Sequence, residues 1–193
     1  MSAKKSDNTD IQKKIVATAL DLAVEQGWEY TTLRDIAERS ELKPSDLYDV
    51  IDDKSDVLVL LGRLIDRQVL AELDVDETSS PRERLFDIMM DRYEVLNDYR
   101  EGLIAILESF KYDPKQLVIS MPHLCRSMSW MLECAGVETS GVKGALKVAG
   151  LSGLYLKVLR TWIEDDSDDL AKVMAALDKA LERAESAADT LGF

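Results

Sequence analysis

Between Thr31 and Lys54 the chain carries hydroxyl, basic, acidic and phenolic side chains at spacings suited to touching a polyanion rather than to making or breaking bonds. Thr31 and Thr32 stand where they can cap a short helix carrying Leu33, Ile36 and Ala37 on one face, and a second short helix follows from about Pro44 to Ile51. That layout predicts a helix-turn-helix followed by the start of a further helix. Its charge opposes the use the layout suggests. Residues 43–54 hold only Lys43 and Lys54 against Asp46, Asp49, Asp52 and Asp53, a net of −2. In the major groove a carboxylate accepts a hydrogen bond only from cytosine, and every neighbouring phosphate repels it. Asp52 and Asp53 also suit a turn, Asp53 being placed to cap the fourth helix.

Bond-making chemistry has little to work with elsewhere. His123 is the single histidine, and there is no Gly-x-Ser-x-Gly, no phosphate-cradling glycine loop and no HExxH. The acidic run Glu164, Asp165, Asp166, Asp168 and Asp169 lacks the loop glycine and spacing of a calcium hand. Helix capping accounts for it, with Ser167 as N-cap and Asp168 and Asp169 in the first turn. Cys125 and Cys134 suit reduced, packed thiols. No enzyme, metal or cofactor is expected.

The elements that must position the first set of residues are all helical. An amphipathic helix places Ile11, Ile15, Ala19 and Leu22 on one stripe and ends at Gly27, a left-handed cap. A fourth helix spans about Ser55 to Leu73, and the polar string DVDETSSP closes it. Pro81 opens another, with Leu85, Ile88, Met89, Tyr93 and Leu96 at helical spacing. One more covers about Arg100 to Phe110. Pro114 and Pro122 then punctuate the chain before a helix that closes at Gly136, and two longer helices span about Val142 to Ile163 and Asp168 to Ala187. The 193 residues are 46% hydrophobic, enough for a substantial core, and the net charge of −13 gives no long-range attraction to nucleic acid. The basic residues near the reading end, Lys4, Lys5, Lys13, Lys14, Arg34, Arg39 and Lys43, are scattered. No apolar leader opens the chain and VLVLL at Val57–Leu61 is too short to span a bilayer, so a cytoplasmic protein without stable membrane insertion is expected.

These features resemble the TetR family of regulators over most of the chain. The resemblance lies in the threonine-led helix with DIAERS at Asp35–Ser40, the turn, Leu47 and Tyr48, and the lysine Lys54 at the opening of the fourth helix. It implies an all-α, TetR-like fold of about nine helices, with an N-terminal helix-turn-helix unit at 1–54 and a ligand-binding and dimerisation bundle at 55–193. It also implies a homodimer on double-stranded DNA, contacted through Thr32, Arg34, Lys43, Ser45, Asp46, Tyr48, Asp49 and Lys54. The chain departs from the family pattern there. Lys43 stands where a Ser or Thr cap is usual, Asp46 replaces a small hydroxyl residue, and Asp49, Val50 and Ile51 replace a His or Tyr followed by Tyr and Phe.

The family likeness further implies a cavity among the middle helices. Met89, Met90, Tyr93, Met121, Met128, Trp130, Met131 and Tyr155 are the candidate lining, and so soft a set favours an apolar or amphipathic ligand; a solid Met-rich core is the alternative. For the dimer, Ala149 and Gly153 keep one side of the penultimate helix small, while Leu170, Val173, Met174, Leu177 and Leu181 form a stripe on the last. A second resemblance covers CAGVETSG and LYLKVLRTWIEDDSDDLAKVMAALDKAL, residues 134–141 and 154–181. This part is similar to the TetR-fold lipid-binding protein of ubiquinone biosynthesis, which implies an alternative role as an isoprenoid or lipid carrier that does not bind DNA.

Overall fold

The computed structural model describes the backbone of residues 2–74, 76, 78–110, 115–167 and 169–192, and within these all side chains except those of 2–7, 115–118, 189 and 191. Nine helices account for the described order: α1 (Ser2–Gln26), α2 (Leu33–Arg39), α3 (Pro44–Tyr48), α4 (Asp56–Glu72), α5 (Pro81–Asn97), α6 (Arg100–Ser109), α7 (Lys115–Cys134), α8 (Gly141–Glu164) and α9 (Ala171–Leu191). The fold is all-α, and no strand occurs among the described residues. None of these helices is long and apolar enough to cross a membrane.

The chain packs as two compact units, residues 1–65 with 98–123 and residues 66–97 with 124–193, so α4 and α7 each contribute to both. In the first unit α1 buries Ile15, Val16, Ala19, Leu22 and Ala23 and stops at Gly27, whose φ of +89° is the left-handed cap the sequence predicts. α6 packs on α1 at a point that only glycine fits. A Cβ on Gly102 would stand 2.4 Å from Leu20 Cβ. Trp28, Ile36, Ala37, Leu47 and Ile51 are buried, so α2 and α3 are held by a continuous apolar underside.

In the second unit α5 opens at Pro81, where the missing N–H forgoes no helical bond. α9 packs against both α5 and α8. Leu170, Val173, Leu177 and Leu181, expected at an interface between two chains, are buried within this one. Their spacing describes an apolar stripe correctly, but the stripe is filled by the chain's own helices. The acidic break before α9 also differs from its predicted form. Asp165 is the principal cap: one oxygen accepts from the Ser167 hydroxyl at 2.5 Å and the Ser167 N–H at 3.1 Å, the other from the N–H groups of Lys172 and Val173, both at 3.0 Å. Ser167 contributes by accepting from the Ala171 N–H at 3.2 Å, as does Asp169 at 3.2 Å, while Asp168 lies outside the described residues.

Pro122, expected to break the chain, sits inside α7. A proline in a helix interior costs its own N–H bond and a clash with the preceding turn. α7 continues past it because Met128, Met131 and Leu132 in its second half are buried. Gly136 then ends the element with φ +82°, as predicted.

Candidate nucleic-acid-reading face and buried polar core

The helix-turn-helix is locally well specified. Thr32 is the N-cap of α2 in a reciprocal capping box: its hydroxyl oxygen accepts from the Asp35 N–H at 3.2 Å, and Asp35 accepts from the Thr32 N–H at 2.9 Å and its hydroxyl at 2.8 Å. These bonds from Thr32 hold the Asp35 carboxyl below its ordinary pKa. Thr31 turns inward instead, donating to the Gly27 carbonyl at 3.0 Å. In the turn between α2 and α3, Glu41 adopts φ +54°, a left-handed conformation that costs a residue with a Cβ about 1–2 kcal/mol. Beneath α3 Leu47 is buried, and above it Tyr48 is 71% exposed, with Ser45, Asp46 and Asp49 also on the outside. The helix is therefore anchored from one side and presents the other.

Most of the face's positive charge is already engaged. Arg34 Nε donates to Glu38 at 2.7 Å, which raises the Arg34 pKa. Arg39 pairs with Glu25 at 2.6 Å, and Lys14 with Glu41 at 3.7 Å. Lys54, predicted as a DNA contact, is committed elsewhere. Its Nζ donates to the carbonyls of Trp28 at 2.5 Å and Thr31 at 3.0 Å and lies 4.8 Å from the Trp28 ring centre. Lys43 is exposed at the N-cap of α3, and its side chain makes no cap bond and joins no ion pair among the described residues. Asp52 and Asp53 serve the turn: their N–H groups donate to Asp56 at 2.9 and 3.0 Å, and Asp53 accepts from the Ser55 N–H at 2.8 Å. Asp46 has a 3.3 Å contact from the Ser45 hydroxyl, and Asp49 C-caps α3 through its backbone alone.

In the second unit Met89, Met90, Tyr93, Met128, Met131 and Tyr155 are buried. The rings of Tyr93 and Tyr155 stack with centroids 5.4 Å apart, and the Tyr93 hydroxyl donates to the Tyr155 carbonyl at 3.0 Å. Burial, and then the neighbouring Tyr155, push the Tyr93 pKa well above its ordinary value, so the phenol stays protonated as that bond requires. Trp130 does not join this cluster. It is 54% exposed, because a residue two positions after Met128 points to the opposite side of the helix. Met121 is half-buried and belongs to the first unit.

The sequence reading missed a buried ion pair in this core. Arg92 is 3% exposed; its Nη1 donates to Asp66 Oδ1, which also accepts from the Ser127 hydroxyl at 2.6 Å. The guanidinium carbon lies 5.3 Å from the Tyr155 ring centre, and Arg92 Nε is buried without a partner. Burial opposes the charge, yet Tyr155 and Asp66 more than offset it and hold the pKa above the ordinary arginine value. The signal was present, since Arg92 falls four residues after Ile88 and three after Met89, on the apolar stripe. Elsewhere in this unit an open cleft of about 310 Å³ is lined by Ser79, Arg82, Glu83, Phe86, Asp87 and Asp178, none of them a predicted lining residue. No group of three or more metal-ligating side chains occurs among the described residues.

No protein-family model matches the sequence, and no curated protein matches it. Solved structures do. A TetR transcriptional regulator from Nitrosomonas europaea superposes with a TM-score of 0.70 at 21% identity, covering 91% of this chain and 98% of its own. One from a Rhodococcus species gives 0.62 at 17% identity, over 92% and 97%. A TetR-family protein from Syntrophomonas wolfei gives 0.60 at 21% identity, over 90% and 94%. Across about nine-tenths of its length, the chain has the fold of the TetR transcriptional regulators.

Proposed function

We propose that this chain is a ligand-responsive transcriptional regulator that binds a two-fold DNA operator as a homodimer, with the reading function in residues 1–54 and ligand binding and dimerisation in 55–193. The observation that carries this reading is the state of α3: its underside is anchored by Leu47 and Ile51 while Tyr48 and Lys43 face outward. A segment kept so well formed, with a capping box on the helix before it, is what groove recognition needs. Because few cations of this face remain uncommitted among the described residues, which do not include the Lys4 and Lys5 side chains, affinity comes from Lys43, Tyr48, Thr32 and Ser45 at short range rather than from a broad positive field.

The second chain docks on α8 rather than on the buried leucines of α9. Val142 at 80% and Leu146 at 52% are exposed, and Ala149 and Gly153 continue the same stripe at spacings of four, three and four. A Cβ on Gly153 would meet nothing within 4 Å in this chain, leaving room for a partner's backbone. On α9 Met174 is exposed and can extend the contact. A two-fold axis there would generate an isologous four-helix interface.

The test is recovery of genomic fragments by the purified protein, followed by sequencing. A pseudo-palindromic motif with half-sites about 10 base pairs apart, or a multiple of that, is expected; fragments without a shared motif overturn the reading. One observation favours a second reading, a lipid carrier that has given up DNA. Asp46 and Asp49 stand exposed on α3 while Lys54 is turned inward. Native mass spectrometry finding a bound isoprenoid or lipid, together with no recovered motif, would establish it.

A further inference from the structure

We propose that Arg92 is the receptor for the carboxylate of an amphipathic monocarboxylic acid and that Asp66 is the resident anion which that carboxylate displaces. This rests on the reading of residues 55–193 as the ligand-binding part. A buried guanidinium is built to hold a planar anion through two parallel N–H bonds, one of them commonly from Nε. Here Asp66 takes Nη1 alone, shares the accepting oxygen with Ser127, and leaves Nε buried and unpartnered. A polar group in that condition marks a place where a further acceptor belongs.

Charge decides the class of ligand. Arg92 and Asp66 form a pair of one cation and one anion, so a carboxylate added beside Asp66 would leave an uncompensated buried negative charge. Exchange keeps the site neutral. Asp66 suits exchange because 20% of its side chain reaches solvent whereas 4% of that of Arg92 does. A phosphate dianion in the same place would again be uncompensated, so a monoanion is preferred. The core of the second unit is apolar and adaptable: Met89, Met128 and Met131 are fully buried thioethers that repack at low cost, and Tyr155, which faces the Arg92 guanidinium, stacks on Tyr93 as a flat wall. A carboxylate with an alkyl or aromatic body matches both parts.

The test uses the full-length protein with laurate and naphthoate as acids, lauryl alcohol as the neutral counterpart and lauryl phosphate as the dianion. Calorimetry gives the affinities, and the ¹⁵N–¹H signal of Arg92 Nε reports the contact. At least one acid is expected to bind about tenfold or more tightly than lauryl alcohol and lauryl phosphate, and to shift the Nε proton downfield. Arg92→Lys keeps the charge but loses the fork, and is expected to lose about tenfold in acid affinity with little change for the alcohol. Asp66→Asn removes the competitor and is expected to tighten acid binding, whereas a purely structural Asp66 would make it weaker or leave it unchanged. Should Asp66→Asn fail to fold, the wild-type Nε shift and Arg92→Lys still decide the matter. Equal binding of acid and alcohol, preference for the phosphate, an unmoved Nε signal, or no binding by either acid would each overturn the proposal. Alcohol binding without acid preference would leave ligand binding intact while removing the role of Arg92. Acid binding through Arg92 in a protein that recovers no operator would remove the regulator reading and leave this one standing.

Discussion

Lys54 Nζ donates to the Trp28 carbonyl at 2.5 Å and sits 4.8 Å from the centre of the same residue's ring, tying the approach to α4 to the turn that ends α1. A charge-assisted bond to a backbone carbonyl together with a cation–π contact makes this lysine part of the unit's framework. Lys54→Met is expected to lower the stability of the protein by about 1–3 kcal/mol in chemical denaturation. Its effect on the salt dependence of DNA binding should be nil. A stable variant with a reduced salt slope would show that Lys54 reaches phosphate after all.

Two glycines give opposite expectations. Gly102→Ala would force a Cβ to 2.4 Å from Leu20 Cβ, so α6 must move off α1, at a cost of about 1–3 kcal/mol. Gly62→Ala, inside α4 with nothing within 4 Å of its added Cβ, is expected to raise stability by about 0.5–1 kcal/mol through helix propensity. Thermal melts of the two variants should move in opposite directions; a stabilised Gly102→Ala would refute the packing of α1 on α6.

The cap at Asp165 makes stability depend on pH. Bonds from the Ser167 hydroxyl, and then from the backbone N–H groups of Ser167, Val173 and Lys172, hold its carboxyl below the ordinary value in the folded state. A depressed carboxyl contributes stability that is complete above its unfolded pKa of about 4 and is lost as pH falls through the folded one. Asp165→Asn should therefore melt below wild type at neutral pH, with the gap closing in acid. A gap of constant size from neutral pH into strong acid would exclude the ionised cap.

Charge placed on the two C-terminal helices separates interface from core. Leu146→Glu is expected to give a folded monomer by light scattering, because Leu146 lies on the exposed stripe of α8. Leu177→Glu is expected to unfold or aggregate, because Leu177 is fully buried within one chain. A monomeric wild type at micromolar concentration would remove the α8 interface.

What could be read from the sequence was local. Gly27, Pro81 and Gly136 announce helix ends because a left-handed φ or a missing N–H acts within one turn. Thr32 announces its helix for the same reason. Lys54 could not be read this way, since its acceptors lie more than twenty residues earlier in the chain. The leucine stripe of α9 was legible as apolar, but periodicity does not say whether the covering surface belongs to the same chain. Arg92 does not stand out in the sequence because Leu85, Ile88, Met89, Tyr93 and Leu96 set an apolar helical stripe around it. Pro122 signals a break locally, and the buried residues beyond it override that preference.

In the proposed regulator the α2–α3 unit reads DNA despite Asp46 and Asp49. Fluorescence anisotropy against the duplex upstream of the chain's own gene and against random duplex, at two salt concentrations, tests it most directly. Each phosphate neutralised makes log K fall by about 0.9 per log unit of salt, so a face on which Arg34, Arg39, Lys14 and Lys54 are already engaged should give a shallow slope. Wild type is expected to bind the upstream duplex selectively with that shallow slope and random duplex weakly, while Asp46→Thr with Asp49→His should gain affinity for random duplex. A wild type that binds neither duplex, alongside a double variant that gains non-specific affinity, would rule out DNA reading by α2–α3 and leave the helix-turn-helix as scaffold alone.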